Sequence, residues 1–175
     1  AGFGGLVRWK RALVAAGFCL AFAMSVVALY ASDLGIPPRL DPSARSKGWE
    51  GVALEADRAI QEMEGPVFIF SNSYQVVSEL AFYMEGNPVT YNINIGRRMT
   101  QYDLWPGIEG REGQSGLFVT MSDRKFSMKV REAFDNCRVR KFKARDEEGN
   151  HLRVHVLALC EGFKGRINER EINEY

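Results

Sequence analysis

Acidic side chains are missing from the first 32 positions of this 175-residue chain: all 22 lie from Asp33 onward, and Arg8, Lys10 and Arg11 are the only charges before it. Cysteine is scarce, with three in all and no CxxC pair, which excludes both a disulfide-dense miniprotein and a cysteine zinc finger. Six prolines and 17 glycines without a period of three exclude a collagen. At 46% hydrophobic and 26% charged, the chain is too apolar for a disordered tail and suits one domain of ordinary size. The net charge of +1 gives no reason to expect a nucleic-acid partner. That figure averages two unlike segments, because the part from Asp33 onward holds 20 basic and 22 acidic groups, a balance of −2.

What fills the acid-free start is one long apolar run. Residues 12–32, ALVAAGFCLAFAMSVVALYAS, contain no charged group over 21 positions. A helix of that length spans roughly 30 Å, about the hydrocarbon thickness of a bilayer. Its hydrophobicity runs all round, and Ser25 can bond back to its own backbone. The run is too long and uniform for the core helix of a small domain. A cleaved signal peptide is opposed by the length and by the bulky Leu29 of Leu29-Tyr30-Ala31, where cleavage wants a small residue. The sequence therefore predicts a transmembrane helix over 12–32, with 1–11 as a cytoplasmic flank. Arg8, Lys10 and Arg11 put that flank inside and the remainder outside, in the extracytoplasmic or periplasmic space beyond an inner membrane. The opening Ala-Gly-Phe-Gly-Gly has no initiator Met, so the chain reads as the end of a longer polypeptide with further upstream helices.

Beyond a linker at 33–44, stiffened by Ile36-Pro37-Pro38, residues 45–168 read as a layered α/β domain. Trp49, Val52, Ala53, Ala56, Ile60 and Met63 recur at helical spacing up to Gly65-Pro66. Val67-Phe68-Ile69-Phe70 is a fully covered strand. Ser71-Asn72-Ser73 offers caps for a second helix through Val76, Val77, Leu80, Ala81 and Tyr83 to Gly86. Val89-Thr90-Tyr91 is a second strand, and a long loop from Asn92 to Gly116 carries five glycines. A third strand at Leu117–Met121 and a third helix from Asp123 to Phe134 precede a hairpin of Cys137–Phe142 with Leu152–Leu159. The expected fold is α/β with a mixed sheet and an antiparallel C-terminal hairpin, followed by a polar tail at 169–175. Cys137 and Cys160 are nearly equidistant from the hairpin turn. They are either a cross-strand disulfide or two unpaired, half-buried thiols, which a mass change on reduction separates.

Most chemical signatures are missing. There is no GxSxG elbow and no phosphate-binding GxxxxGK[ST], and Gly110, Gly113 and Gly116 do not match GxGxxG. His151 and His155 lie four apart, about 13 Å along a strand, too far to share one metal. Arg138, Arg140, Lys141, Lys143 and Arg145 make a basic strand, read as a solvated face or as a contact for anionic lipid. The informative region is the carboxyl edge of the sheet, where open α/β folds bind ligands. There Ser71–Gln75 opens a helix whose amino end attracts anions, and Arg97 and Arg98 bring two guanidinium groups. Gln101-Tyr102-Asp103-Leu104-Trp105 adds amides, a carboxylate and aromatic faces suited to sugar hydroxyls. The plainer reading is that Glu79 or Asp103 neutralises one Arg while Tyr102 and Trp105 pin a long loop.

These runs are familiar together. Ser73-Tyr74-Gln75, Ser78 to Met84 and Arg97 to Trp105, with Asp41-Pro42 and Gly48-Trp49 upstream, resemble the carboxy-terminal region of bacterial GT-C membrane glycosyltransferases. That group includes the dolichyl-phosphate-mannose protein mannosyltransferases and the lipid A aminoarabinose transferases. The resemblance covers most of residues 12–122. It implies an enzyme with many membrane helices that uses a polyprenyl-phosphate sugar, with a divalent metal in some branches of the full-length enzyme. The family's catalytic acid lies in a loop near its amino terminus that has no counterpart here, so the resemblance implies a non-catalytic segment without a cofactor of its own. Tyr74, Gln75, Glu79, Arg97, Arg98, Gln101, Tyr102, Asp103 and Trp105 match the motif and are the candidate substrate-binding residues; none is assigned as catalytic. A single-pass anchored binding or scaffold module is the competing expectation. A free-standing hydrolase is opposed by the lack of a nucleophile–base pair.

Overall fold

The computed structural model of the chain describes residues 3–30, 42–121, 127–146 and 149–167. It divides into two compact units, the first through Ser46 and the second from Lys47. The first is a helix, α1 (Phe3–Leu29), and a 3-10 turn at Pro42–Arg45. Helix α1 starts nine residues before the predicted span, because no proline interrupts Phe3–Arg11 and the apolar run that nucleates the helix carries it back through Gly4 and Gly5. Its stretch Trp9–Leu29, 21 residues with a mean hydropathy of 2.4, is long and apolar enough to cross a membrane, and none of it is buried within the protein. Ser25 donates its hydroxyl to the Ala21 carbonyl at 2.9 Å, so the one polar side chain of the mid-helix is satisfied internally. The linker residues Asp33, Ile36-Pro37-Pro38 and Asp41, and the tail at 169–175, fall outside the described residues.

The second unit is an α/β fold built on a five-stranded mixed sheet. Helix α2 (Trp49–Gln61) leads into β1 (Val67–Ser71), α3 (Tyr74–Tyr83) and β2 (Thr90–Asn92). A long connection with a 3-10 turn at Gln101–Leu104 reaches β3 (Ser115–Thr120), then α4 (Met128–Glu132) and the hairpin β4 (Phe134–Arg145) and β5 (His151–Phe163). The strand order is β2-β1-β3-β5-β4. Strands β1, β2 and β3 run parallel, whereas β5 is antiparallel to both β3 and β4.

Alternation along each strand divides the core into two layers. Ile69, Leu117, Val119, Leu157 and Leu159 meet α2 and α3 on one face. Helix α2 buries Trp49, Val52, Ala53, Ala56 and Ala59, and its three alanines let the backbone approach the sheet closely. Phe68, Phe70, Phe118, Ala158 and Cys160 face the other way. There they meet Val130 of α4, with Phe134, Phe163 and Ile167. Ile93 and Ile108 join the same layer. The long connection is therefore packed down at both ends and free to project only between them.

Several boundaries differ from expectation for identifiable reasons. Gly116, read as the last loop glycine, is the second residue of β3, because its missing side chain makes room for aromatic rings. A Cβ there would lie 2.9 Å from ring atoms of Phe68, Phe70 and Phe134. Gly116→Ala should consequently cost about 2 kcal/mol by overpacking, read as a lower urea midpoint at unchanged slope. The third helix is only Met128–Glu132, since Phe134 is drawn into β4; the expected start at Asp123 lies outside the described residues. Both hairpin strands outrun their predicted ends, and Cys137 stands directly opposite Cys160. The two are joined in a disulfide, leaving Cys19 of α1 as the free cysteine.

Candidate functional site

The order β2-β1-β3 places β1 between two strands reached in opposite directions. Helix α3 carries the chain from β1 to β2 over the first face, and the long connection returns it to β3 with Ile93 and Ile108 on the second. Helix α3, which follows β1, packs on the first face and α4, which follows β3, packs on the second, the arrangement that opens a crevice in α/β sheets. Ser71 accepts a hydrogen bond from the Ser73 N–H at 3.2 Å, and Ser73 makes no side-chain cap to α3. The predicted capping of α3 by Ser73 is thus replaced by a turn in which Ser71 Oγ accepts from the Ser73 N–H.

Three side chains at the strand ends hold buried polar atoms without a hydrogen-bond partner: Asn72 Oδ1, both amide atoms of Asn92, and Thr120 Oγ1. They follow or end β1, β2 and β3 in turn. Unsatisfied buried polar groups are rare in folded proteins, and here three share one edge of the sheet. Sequence reasoning named the segments around Asn72 and Asn92 but missed Thr120, since a threonine ending an apolar strand carries no signal of its own.

The candidate residues from the long connection form a rigid turn above α3. Arg97 grips Asp103 with two hydrogen bonds of 2.9 and 2.8 Å, and it also donates to the Arg98 carbonyl at 2.9 Å. Thr100 closes a capping box with Asp103, its N–H and hydroxyl both donating to that carboxylate. Burial pushes the Asp103 carboxyl up, but the Thr100 N–H and the Arg97 guanidinium outweigh it and hold the group below its ordinary range. Thr100-x-x-Asp103 is the spacing of a capping box, a signal the sequence did contain. Asp103→Ala should cost about 2 kcal/mol by removing both the cap and the ion pair. Hydrogen exchange would report it as lost protection confined mainly to residues 97–105.

That ion pair settles which residues remain available to a ligand. Arg97 is neutralised, as the plainer reading had it, and the partner is Asp103 rather than Glu79. Arg98 and Gln101 are exposed. Gln75 and Glu79 are half-buried on α3, and burial raises the Glu79 carboxyl above its ordinary value. Three rings stand in series: Tyr74 stacks on Tyr102 with centroids 6.2 Å apart, and Tyr102 lies 4.5 Å from Trp105. The nine sequence candidates are therefore split into a turn lock (Arg97, Asp103), an aromatic ladder (Tyr74, Tyr102, Trp105) and flanking polar groups (Gln75, Glu79, Arg98, Gln101).

Elsewhere, Arg111 lies over the Tyr91 ring at 4.4 Å and donates to its hydroxyl, a structural pairing on the second face. Arg140 of the basic strand reaches across to Glu55 at 3.0 Å and Glu62 at 2.6 Å on α2, so this strand is partly neutralised by its own domain. His151 is exposed, whereas His155 is buried edge-on against Trp49 at 5.0 Å. No cluster of three or more potential metal-ligating side chains occurs among the described residues. Comparison with protein-family models, curated proteins and solved structures returned no match.

Proposed function

We propose that this chain is the extracytoplasmic, non-catalytic part of a membrane glycosyltransferase that draws its sugar from a polyprenyl-phosphate donor. The observation that carries the reading is the pairing of an apolar helix, unburied along Trp9–Leu29, with an α/β unit whose carboxyl edge bears an aromatic ladder beside an exposed Arg98. The resemblance of Tyr74–Met84 and Arg97–Trp105 to GT-C enzymes supplies the reaction class. The disulfide supports an oxidising, extracytoplasmic side, which for this reading is the periplasmic face of an inner membrane. In this reading Arg98 and the ladder contact the donor phosphate or the acceptor, further membrane helices come from the same polypeptide, and any divalent metal belongs to the remainder of the enzyme.

The second reading, an anchored binding module without chemistry, is favoured by the self-contained two-layer core of the unit from Lys47. The gene's reading frame separates the two. Eight or more hydrophobic segments upstream support the transferase, and an initiator Met directly before Ala1 supports the module. In the full-length enzyme, Arg98→Ala should lower sugar transfer from a polyprenyl-phosphate donor at least tenfold. Unchanged turnover and unchanged donor binding would remove Arg98 from the ligand contact.

A further inference from the structure

We infer that the turn at residues 97–105 is an interfacial anchor that seats the α/β unit on an anionic phospholipid bilayer. This inference rests on reading α1 as a membrane span. Met99, Leu104 and Trp105 are 44%, 69% and 55% exposed, and Tyr74 beneath them is 52% exposed. Exposed apolar side chains are ordinary when scattered, but Met99, Leu104 and Trp105 lie on one short turn, and Tyr74 is linked to Trp105 through the Tyr74–Tyr102–Trp105 ring series. The turn that presents them is held by the bidentate Arg97–Asp103 pair and the Thr100 capping box. Polar bonds thus fix the backbone of the turn while its apolar groups stay exposed.

Charge identifies the occupant. Asp103 is the only acid between residues 97 and 106, and Arg97 neutralises it, so the exposed surface of the turn carries the single charge of Arg98. Tryptophan and tyrosine flanked by an arginine are the combination that partitions to the headgroup level of a membrane, and the cation adds attraction for anionic lipid. The other pair of exposed hydrophobics on α3 and its exit, Phe82 and Val89, flanks an exposed Glu85 and lacks that complementarity. Strand β4 carries cations, but its one largely exposed hydrophobic is a valine, Val139, with no aromatic beside it.

The three tryptophans make the test direct, since Trp9 lies in the span, Trp49 in the core and Trp105 on the turn. The full chain is reconstituted in vesicles of phosphatidylcholine with one quarter phosphatidylglycerol, with or without bromine on the acyl chains near the headgroup. Comparing Trp9→Phe with Trp9→Phe/Trp105→Phe isolates the Trp105 emission, and comparing Trp105→Phe with the same double variant isolates Trp9. The expected result is that bromolipid quenches Trp105 by at least half, with weaker quenching when phosphatidylglycerol is omitted. Arg98→Glu/Leu104→Asp, placed in the Trp9→Phe background, should reduce that quenching at least threefold while far-ultraviolet circular dichroism stays unchanged. If Trp9 is quenched and Trp105 is not, the span is real and the anchor is overturned. If neither is quenched, the membrane reading itself fails and takes the anchor with it. Trp105 protected from both bromolipid and iodide would indicate a protein covering and likewise overturn the proposal, as would quenching that survives Arg98→Glu/Leu104→Asp.

Discussion

Acidification from pH 7.5 to 4 should cost the wild-type α/β unit about 3 kcal/mol more than it costs His155→Phe, because one buried imidazole must take up a proton on unfolding. His155 lies beneath α2 against Trp49, and neither ring nitrogen has a hydrogen-bond partner. Burial, reinforced by the nearby charge of Arg153, pushes its pKa down to about 4. An ordinary histidine, and hence the unfolded chain, titrates near 6.5. Between those values the unfolded state holds the extra proton, so stability falls as pH falls, by at most about 1.4 kcal/mol per pH unit. The contribution is complete above pH 6.5, is lost progressively down to about 4, and changes no further below that. Urea denaturation of the full chain in detergent across this range would give the curve. His155→Phe replaces two unsatisfied nitrogens by apolar atoms of similar volume, so it should be at least as stable as wild type at pH 7.5 and nearly flat between 6.5 and 4. An unchanged acid limb in the variant would assign the proton to another group.

The same imidazole illustrates what a sequence does and does not carry. Helix α2 was legible because Trp49, Val52, Ala53 and Ala56 repeat at three and four, and the apolar run of β1 because four consecutive hydrophobes leave no solvent side. The hairpin was legible in kind but short in extent. Strand β4 is an edge strand whose charges read as a basic strand, but its true ends are set by pairing with β5 rather than by its own composition. His155 and His151 look alike in one dimension, and only the packing of α2 over the sheet makes one buried and leaves the other wet. At the candidate site the individual residues were visible, but the sorting was not. Whether Arg97 or Arg98 stays available depends on a six-residue return of the chain that brings Asp103 back to the guanidinium. Gly116 could not be told from the loop glycines before it, because the reason for it lies in phenylalanines up to 48 residues away in sequence.

Breaking the Cys137–Cys160 bridge should have the second large effect and bears on where the domain lives. The bridge joins facing positions of β4 and β5 at a sequence separation of 23. Closing a loop of that size in the unfolded chain is worth about 3 kcal/mol on the chain-entropy account. Cys137→Ser/Cys160→Ser should therefore melt about 10 °C below wild type, and reductant should lower wild type toward the double variant without affecting the latter. The Cys160 side requires the bond most, since Cys160 is wholly buried among Phe68, Phe134 and Phe163 and a serine hydroxyl there has no evident partner. Cys137→Ala/Cys160→Ala would separate that polarity penalty from loss of the cross-link. In a Cys19→Ser background Cys137 and Cys160 are the only cysteines. A permeant maleimide added to intact cells should then label the protein only after prior reduction, as an oxidising compartment requires. Labelling without reduction would place the domain among the reducing cytosolic proteins and would reverse the orientation that Arg8, Lys10 and Arg11 suggest for α1.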